Sequence, residues 1–159
     1  MLETISSKIL HLEVLDLSYN NLTNEILPSL RGFTSLNELY LIDIGLDSDL
    51  HFQGLCAVLK NLEILDISAN NFYDIEIASA HSGLSSLKSL ILHDSEITLR
   101  SIHNISKLRS LEILYFSGNI FDDIDIASAL SGLSSLESLN LQRNEITIRS
   151  IHSMSYFAY

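Results

Sequence analysis

The pattern L-x-x-L-x-L-x-x-N-x-L, with any aliphatic residue or Phe at the L positions, begins at Leu12, Leu36, Leu62, Leu87, Leu111 and Leu136. The intervals are 24, 26, 25, 24 and 25 residues. One such unit has too little apolar surface to fold alone. Copies stacked in register bury a continuous core, so a regular period of this length predicts a solenoid. Within the unit, Leu15 and Leu17 flank Asp16. That alternation is the period of a short strand with one face inward.

The ninth position of the pattern has a structural task. An amide side chain there can satisfy backbone groups where the chain turns into the core, and stacked repeats then form a buried ladder. Asn20, Asn70, Asn119 and Asn144 occupy it, while Ile44 and Ser95 replace it in the second and fourth repeats. An Ile side chain cannot make those bonds, so local irregularity is expected near Ile44. A longer period lies over the shorter one. Residues 62–110 align with 111–159 without a gap, and 30 of the 49 positions are identical. Glu96-Ile97-Thr98 recurs as Glu145-Ile146-Thr147, which reads as tandem duplication of a two-repeat unit.

The return path of each repeat runs along the opposite side. Ala78-Ser79-Ala80-His81-Ser82-Gly83-Leu84 suits a helical turn or two closed by Gly83. The other class of repeat turns Ile97, Leu99, Ile102, Ile105 and Leu108 inward. The expected fold is α/β: a curved solenoid of about six repeats, with a parallel sheet on its concave face and short helices, turns and extended segments on its convex side. At about 4.8 Å between strands the stack is roughly 25–30 Å long. Residues 1–159 are expected to form a single domain, uncapped at both ends.

The pattern and period are those of leucine-rich repeats. Asn20-Asn21-Leu22-Thr23-Asn24-Glu25-Ile26-Leu27-Pro28-Ser29-Leu30 resembles the plant extracellular version, N-x-L-x-G-x-I-P-x-x-L, with one extra residue before Pro28 and Asn24 in place of Gly. Gly32-Phe33-Thr34-Ser35-Leu36, Gly83-Leu84-Ser85-Ser86-Leu87 and the strand Leu65-Asp66-Ile67-Ser68 look like that family too. The resemblance covers about residues 10–153 and is to the ectodomains of plant receptor-like proteins and receptor-like kinases. Only the first repeat carries the Ile-x-Pro element, so the family's regular second strand is not expected elsewhere.

The resemblance implies a recognition module: a protein, peptide or glycan ligand, a co-receptor, and a role in defence or signal transduction. It implies a glycoprotein of the plasma membrane, facing outward. Two glycosylation sequons fit that reading, at Asn21 and Asn104. The opening Met1-Leu2-Glu3-Thr4-Ile5-Ser6-Ser7-Lys8 lacks the features of a signal peptide, and no run of about 20 apolar residues exists to span a bilayer. On these grounds the chain is expected to be a fragment of a longer receptor and, taken as it stands, cytosolic. The alternatives are a secreted-type enzyme inhibitor and a non-functional receptor remnant.

Catalysis finds no foothold. Six histidines (His11, His51, His81, His93, His103 and His152) form no metal-binding spacing, and His103 and His152 are duplicates of one another. Asp74-Ile75-Glu76 and Asp122-Asp123-Ile124-Asp125 lack the loop length, Gly and distal Glu of a calcium hand. No phosphate-binding loop or nucleophile elbow is present. No enzyme activity, metal or cofactor is therefore expected. Cys56 stands alone and reads as a small buried apolar residue. The net charge of −11 sets nucleic acid and anionic membranes aside as partners.

Binding is expected on the concave face, at variable positions around the strand leucines. One column holds Asp16, Tyr40, Asp66, Ile91, Tyr115 and Asn140, and the next Ser18, Ile42, Ser68, His93, Ser117 and Gln142. A third holds Tyr19, Asp43, Ala69, Asp94, Gly118 and Arg143. From these, Tyr19, Tyr40, Ile42, Asp66, Ile91, His93, Tyr115 and Arg143 are the candidate ligand-binding residues. Tyrosine is the favoured anchor because it offers area and a hydrogen bond at little entropic cost.

Overall fold

The structure, a computed structural model, describes residues 9–47, 59–73, 84–98, 101, 105–121 and 126–148. Six strands of three residues each follow in chain order: β1 (Val14–Asp16), β2 (Glu38–Tyr40), β3 (Ile64–Asp66), β4 (Ser89–Ile91), β5 (Ile113–Tyr115) and β6 (Ser138–Asn140). They form one parallel sheet in the order β1-β2-β3-β4-β5-β6. The register never slips. Val14 pairs with Glu38, Glu38 with Ile64, Ile64 with Ser89, Ser89 with Ile113 and Ile113 with Ser138. The repeat pattern thus becomes a set of straight columns, one residue from each repeat.

The leucines set this register because a one-residue slip would carry them to the solvent face. Leu39, Leu65, Leu90 and Leu114 occupy the middle of β2 to β5 and are fully buried. So are Leu41, Ile67, Leu92 and Phe116 two residues on. Each such burial contributes roughly 1.5–3 kcal/mol. Leu15, Leu17, Leu139 and Leu141, in the first and last described strands and just beyond them, are only partly buried; among the described residues those strands have a neighbouring strand on one side.

The column just before the ladder asparagine turns the chain. Tyr19, Asp43, Ala69, Asp94, Gly118 and Arg143 all have positive φ, from 46° at Asp94 to 68° at Gly118. For a residue other than Gly this conformation costs about 1–2 kcal/mol. Backbone pairing continues through the turn and offsets it: Tyr19 N–H donates to the Ile42 carbonyl at 2.7 Å and Ala69 N–H to that of His93 at 2.7 Å.

The turn aims the ladder amides inward, and Asn70, Asn119 and Asn144 each serve the repeat before their own as well. Asn70 Nδ2 donates to the carbonyls of Leu41, Ile67 and Ser68, and its Oδ1 accepts from the N–H groups of Ile44 and Leu46. Asn119 repeats the arrangement with Leu92, Phe116, Ser95 and Ile97. Asn144 reaches back to Phe116, and its Oδ1 accepts from Asn119 N–H.

The expected irregularity at Ile44 does not occur. Its side chain is buried, β2 keeps register on both sides, and its N–H is held by Asn70. Where a repeat lacks the amide, the backbone replaces it. Leu22 N–H donates to the Ile44 carbonyl at 3.1 Å, and Phe72 N–H donates to the Ser95 carbonyl at 3.1 Å. The corresponding N–H of Leu46 instead finds the Asn70 side chain at 2.9 Å.

On the return side, a 3-10 turn (Asn24–Ile26) runs into α1 (Leu27–Leu30). Pro28 sits in the first turn of α1, where its missing N–H needs no partner. The Ile-x-Pro element is therefore helical here. An isolated parallel bridge joins Asp47 to Asn71. In the fifth repeat the return path holds α2 (Ile126–Leu130). The expected helix at 78–84, with Gly83, lies outside the described residues apart from Leu84. Its duplicate Gly132 has a role other than a left-handed stop: a Cβ there would lie 2.4 Å from the Ser106 carbonyl oxygen. The glycine lets two successive return paths approach closely. Cys56, Asn104, His51, His81, His103, His152 and the acidic runs 74–76 and 122–125 also lie outside the described residues.

Candidate functional site

The strand columns project a face made of the first and third residue of each strand. A motif recurring along it, Leu-Asp-Leu-Ser, fixes the backbone at its margin. Asp16 Oδ1 accepts from Ser18 N–H at 2.9 Å, and Ser18 Oγ accepts from Ile42 N–H in the next repeat at 3.1 Å. Asp66 and Ser68 repeat this toward His93 N–H. Hydrogen bonds from the Ser18 hydroxyl and backbone N–H hold the Asp16 carboxyl below its usual range. Asp66, in the same column as Tyr40, is largely buried between its neighbours.

Tyr40 stands between Asp16 and Asp66 in direct register. Its hydroxyl donates to Glu38 Oε2 at 2.8 Å, two residues earlier on the same face. That hydrogen bond, then burial, then the charges of Glu38, Asp66 and Asp16 raise its phenol above the ordinary tyrosine range. The folded state therefore holds this proton more tightly than the unfolded chain does. The resulting stability is present below the ordinary tyrosine value and is lost as pH rises through the elevated one. In an ultraviolet difference titration Tyr40 should ionise above the ordinary tyrosine range, and Glu38→Gln should move it back; an unchanged Tyr40 titration in that variant would disprove the assignment.

The other half of the face differs. Ile91 pairs in register with Tyr115, both half-buried. The His93 ring stacks on Tyr115 with centroids 5.9 Å apart and 25° between planes, and His93 Nδ1 lies 2.5 Å from Ser117 Oγ. Ser138 Oγ donates to the Tyr115 hydroxyl at 3.3 Å. Lys88 bridges to Glu63 at 2.8 Å, and Glu63 with Glu112 raises the Lys88 ammonium above its usual value.

Two candidates sit elsewhere. Tyr19 and Arg143 belong to the left-handed turn column at the sheet margin, not to the strand columns. Arg143 approaches Asp94 at 3.9 Å with both side chains exposed, a pair worth little. Ile42 is half-buried beside that turn. The columns singled out from sequence missed the first strand residues. Val14, Glu38, Ile64 and Ile113 share the face with Tyr40 and Tyr115, as two-residue alternation requires. A depression of about 540 Å3 beyond the margin is lined by the carboxylates of Asp43, Asp47, Asp94 and Glu96.

Family comparison agrees with this geometry. Leucine-rich-repeat family models match residues 11–33, 60–121 and 132–147. The chain is a leucine-rich-repeat protein. It is 42% identical over 64 residues to putative receptor-like protein 8 of Arabidopsis thaliana, a stretch covering 40% of this chain and 6% of that protein. Among solved structures it resembles an internalin C2 of Listeria monocytogenes, with TM-score 0.57, 22% identity, and coverage of 96% of this chain and 70% of that one. That likeness concerns the fold alone. Leucine-rich repeats of this kind are typically binding modules, and the chain is read as a protein-interaction module. Among the described residues no helix is long and apolar enough to cross a membrane.

Proposed function

We propose that this leucine-rich-repeat chain is part of the recognition region of a plant cell-surface receptor that acts in signalling or defence. Its 159 residues work as one binding unit. The partner is a protein or peptide seated on the concave sheet face. The observation that carries this is the register: it sets Tyr40, Ile91 and Tyr115 in one column of an uncovered sheet face, with His93 stacked against Tyr115. Large, ordered aromatic groups on a rigid face are what hot spots are made of. The receptor role is inferred from the likeness to a plant receptor-like protein. Asn21, exposed beside the first turn in Asn21-Leu22-Thr23, is proposed to carry a glycan in a secreted parent.

The test is a selection of peptides from a random display library on the intact chain, followed by affinity measurement on a Tyr40→Ala, Tyr115→Ala double variant. Removing two such anchors should weaken the selected peptides by about 30-fold or more, the scale of hot-spot loss. Peptides that bind the double variant as well as the parent chain would sink the site.

A further inference from the structure

The concave face is divided by charge. In its three outward columns, the acidic residues Asp16, Glu38 and Asp66 all belong to the first three repeats and converge on Tyr40. The fourth to sixth repeats carry none in those columns: Ser89, Ile91 and His93 are followed by Ile113, Tyr115 and Ser117, then by Ser138, Asn140 and Gln142. Among the described residues the one ammonium near the face, Lys88, is already bonded to Glu63. One half thus offers a ring among carboxylates, with no cation paired to them among the described residues. The other offers an aliphatic side chain beside a stacked His93 and Tyr115 pair.

Resting on the concave-face reading above, we infer that the partner is an extended peptide segment carrying an arginine or lysine three or four residues from an apolar side chain. The cation seats against Tyr40, where Asp16 and Glu38 supply charge and the ring supplies a cation–π surface. Asp66, largely buried beside Tyr40, adds to the field. The apolar side chain seats on Ile91 and Tyr115. β2 lies two strands from β4 and three from β5. At about 4.8 Å per strand that is about 10–14 Å, and an extended peptide covers it in about three or four residues at ~3.3 Å each. An acidic segment would meet repulsion here, which gives the face its selectivity.

The experiment is an NMR titration of the whole isotope-labelled chain with three twelve-residue peptides in a serine–glycine background. The first has one arginine and, four residues on, one phenylalanine. The second replaces the arginine by glutamate, and the third places the two residues side by side. The first peptide is expected to shift amides of β2, β4 and β5 and to bind about tenfold more tightly than either of the others. Its binding should weaken about fivefold on raising salt from about 0.05 M to about 0.5 M. An Asp16→Asn, Glu38→Gln variant should lose that advantage, while Glu137→Gln, a carboxylate at the far end of the sheet, should retain it. Preserved amide dispersion in the variants shows that they fold. Equal binding of the three peptides, with shifts still in β2 to β5, would overturn the charge and spacing inference and leave concave-face docking standing. Shifts absent from the sheet with every peptide would overturn both.

Discussion

Asn70→Ala should lower the unfolding free energy by about 3–5 kcal/mol, whereas Asn20→Ala should lower it by less than about 1 kcal/mol. The two residues occupy the same place in the repeat but not the same environment. Asn70 is buried and bonds five backbone groups, two of them N–H donors of the preceding repeat. Alanine takes the side-chain partner from the Ile44 and Leu46 N–H groups and from the Leu41 and Ile67 carbonyls, while the Ser68 carbonyl keeps Asp43 N–H. An orphaned buried donor costs about 1–3 kcal/mol, and the losses within one site are not additive. Asn20 is exposed and bonds only the Leu17 and Ser18 carbonyls of its own turn, which water can serve instead. Thermal unfolding of both variants checks this. For a chain of this size the Asn70 variant should melt about 10–15 °C lower. Equal losses at the two positions would show that the backward-reaching bonds do not matter.

Phe116→Ala should cost about 3–5 kcal/mol, and Phe116→Ile about 1 kcal/mol. Phe116 is fully buried and packs edge-to-face on Phe121, centroids 5.6 Å apart at 74°. Truncation removes that contact and opens a cavity that the rigid sheet cannot close. The milder change follows from the internal duplication, in which Ile67 takes the place of Phe116 and Phe72 that of Phe121. The third repeat therefore already shows an Ile and a Phe packed in this layer, both fully buried. Denaturant melts of the two variants read the difference. A loss for Ile as large as that for Ala would mean that the duplicated layers are packed by different rules.

Strand positions, strand order and the leucine core were legible because each depends on spacing alone, and a two-residue period leaves one choice of inward face. The ladder was legible as a column but not as a direction. Nothing in the pattern says that Asn70 serves Ile44 as well as its own repeat, so Ile44 looked like a flaw when it is only the residue served. The left-handed backbone of the turn column was not legible because it carries Tyr19, Asp43, Ala69, Asp94 and Arg143, with Gly118 the one glycine to signal such a turn. Of the candidate face, Tyr40 and Tyr115 could be placed by counting. The Glu38 partner of Tyr40 was also two residues away in sequence, and the His93 stack on Tyr115 needed the third dimension.

The backward reach of the ladder amides has a consequence for how such an array can grow. A new unit of 24 to 26 residues arrives already holding the fastener for its predecessor, and its own place is secured when the next unit follows. Lengthening by copying thus requires no new complementary surface to be invented at each joint. The 49-residue echo between residues 62–110 and 111–159 is what that freedom leaves behind in a chain, with each copy's outward columns left open to drift toward a different partner while its inward columns stay fixed.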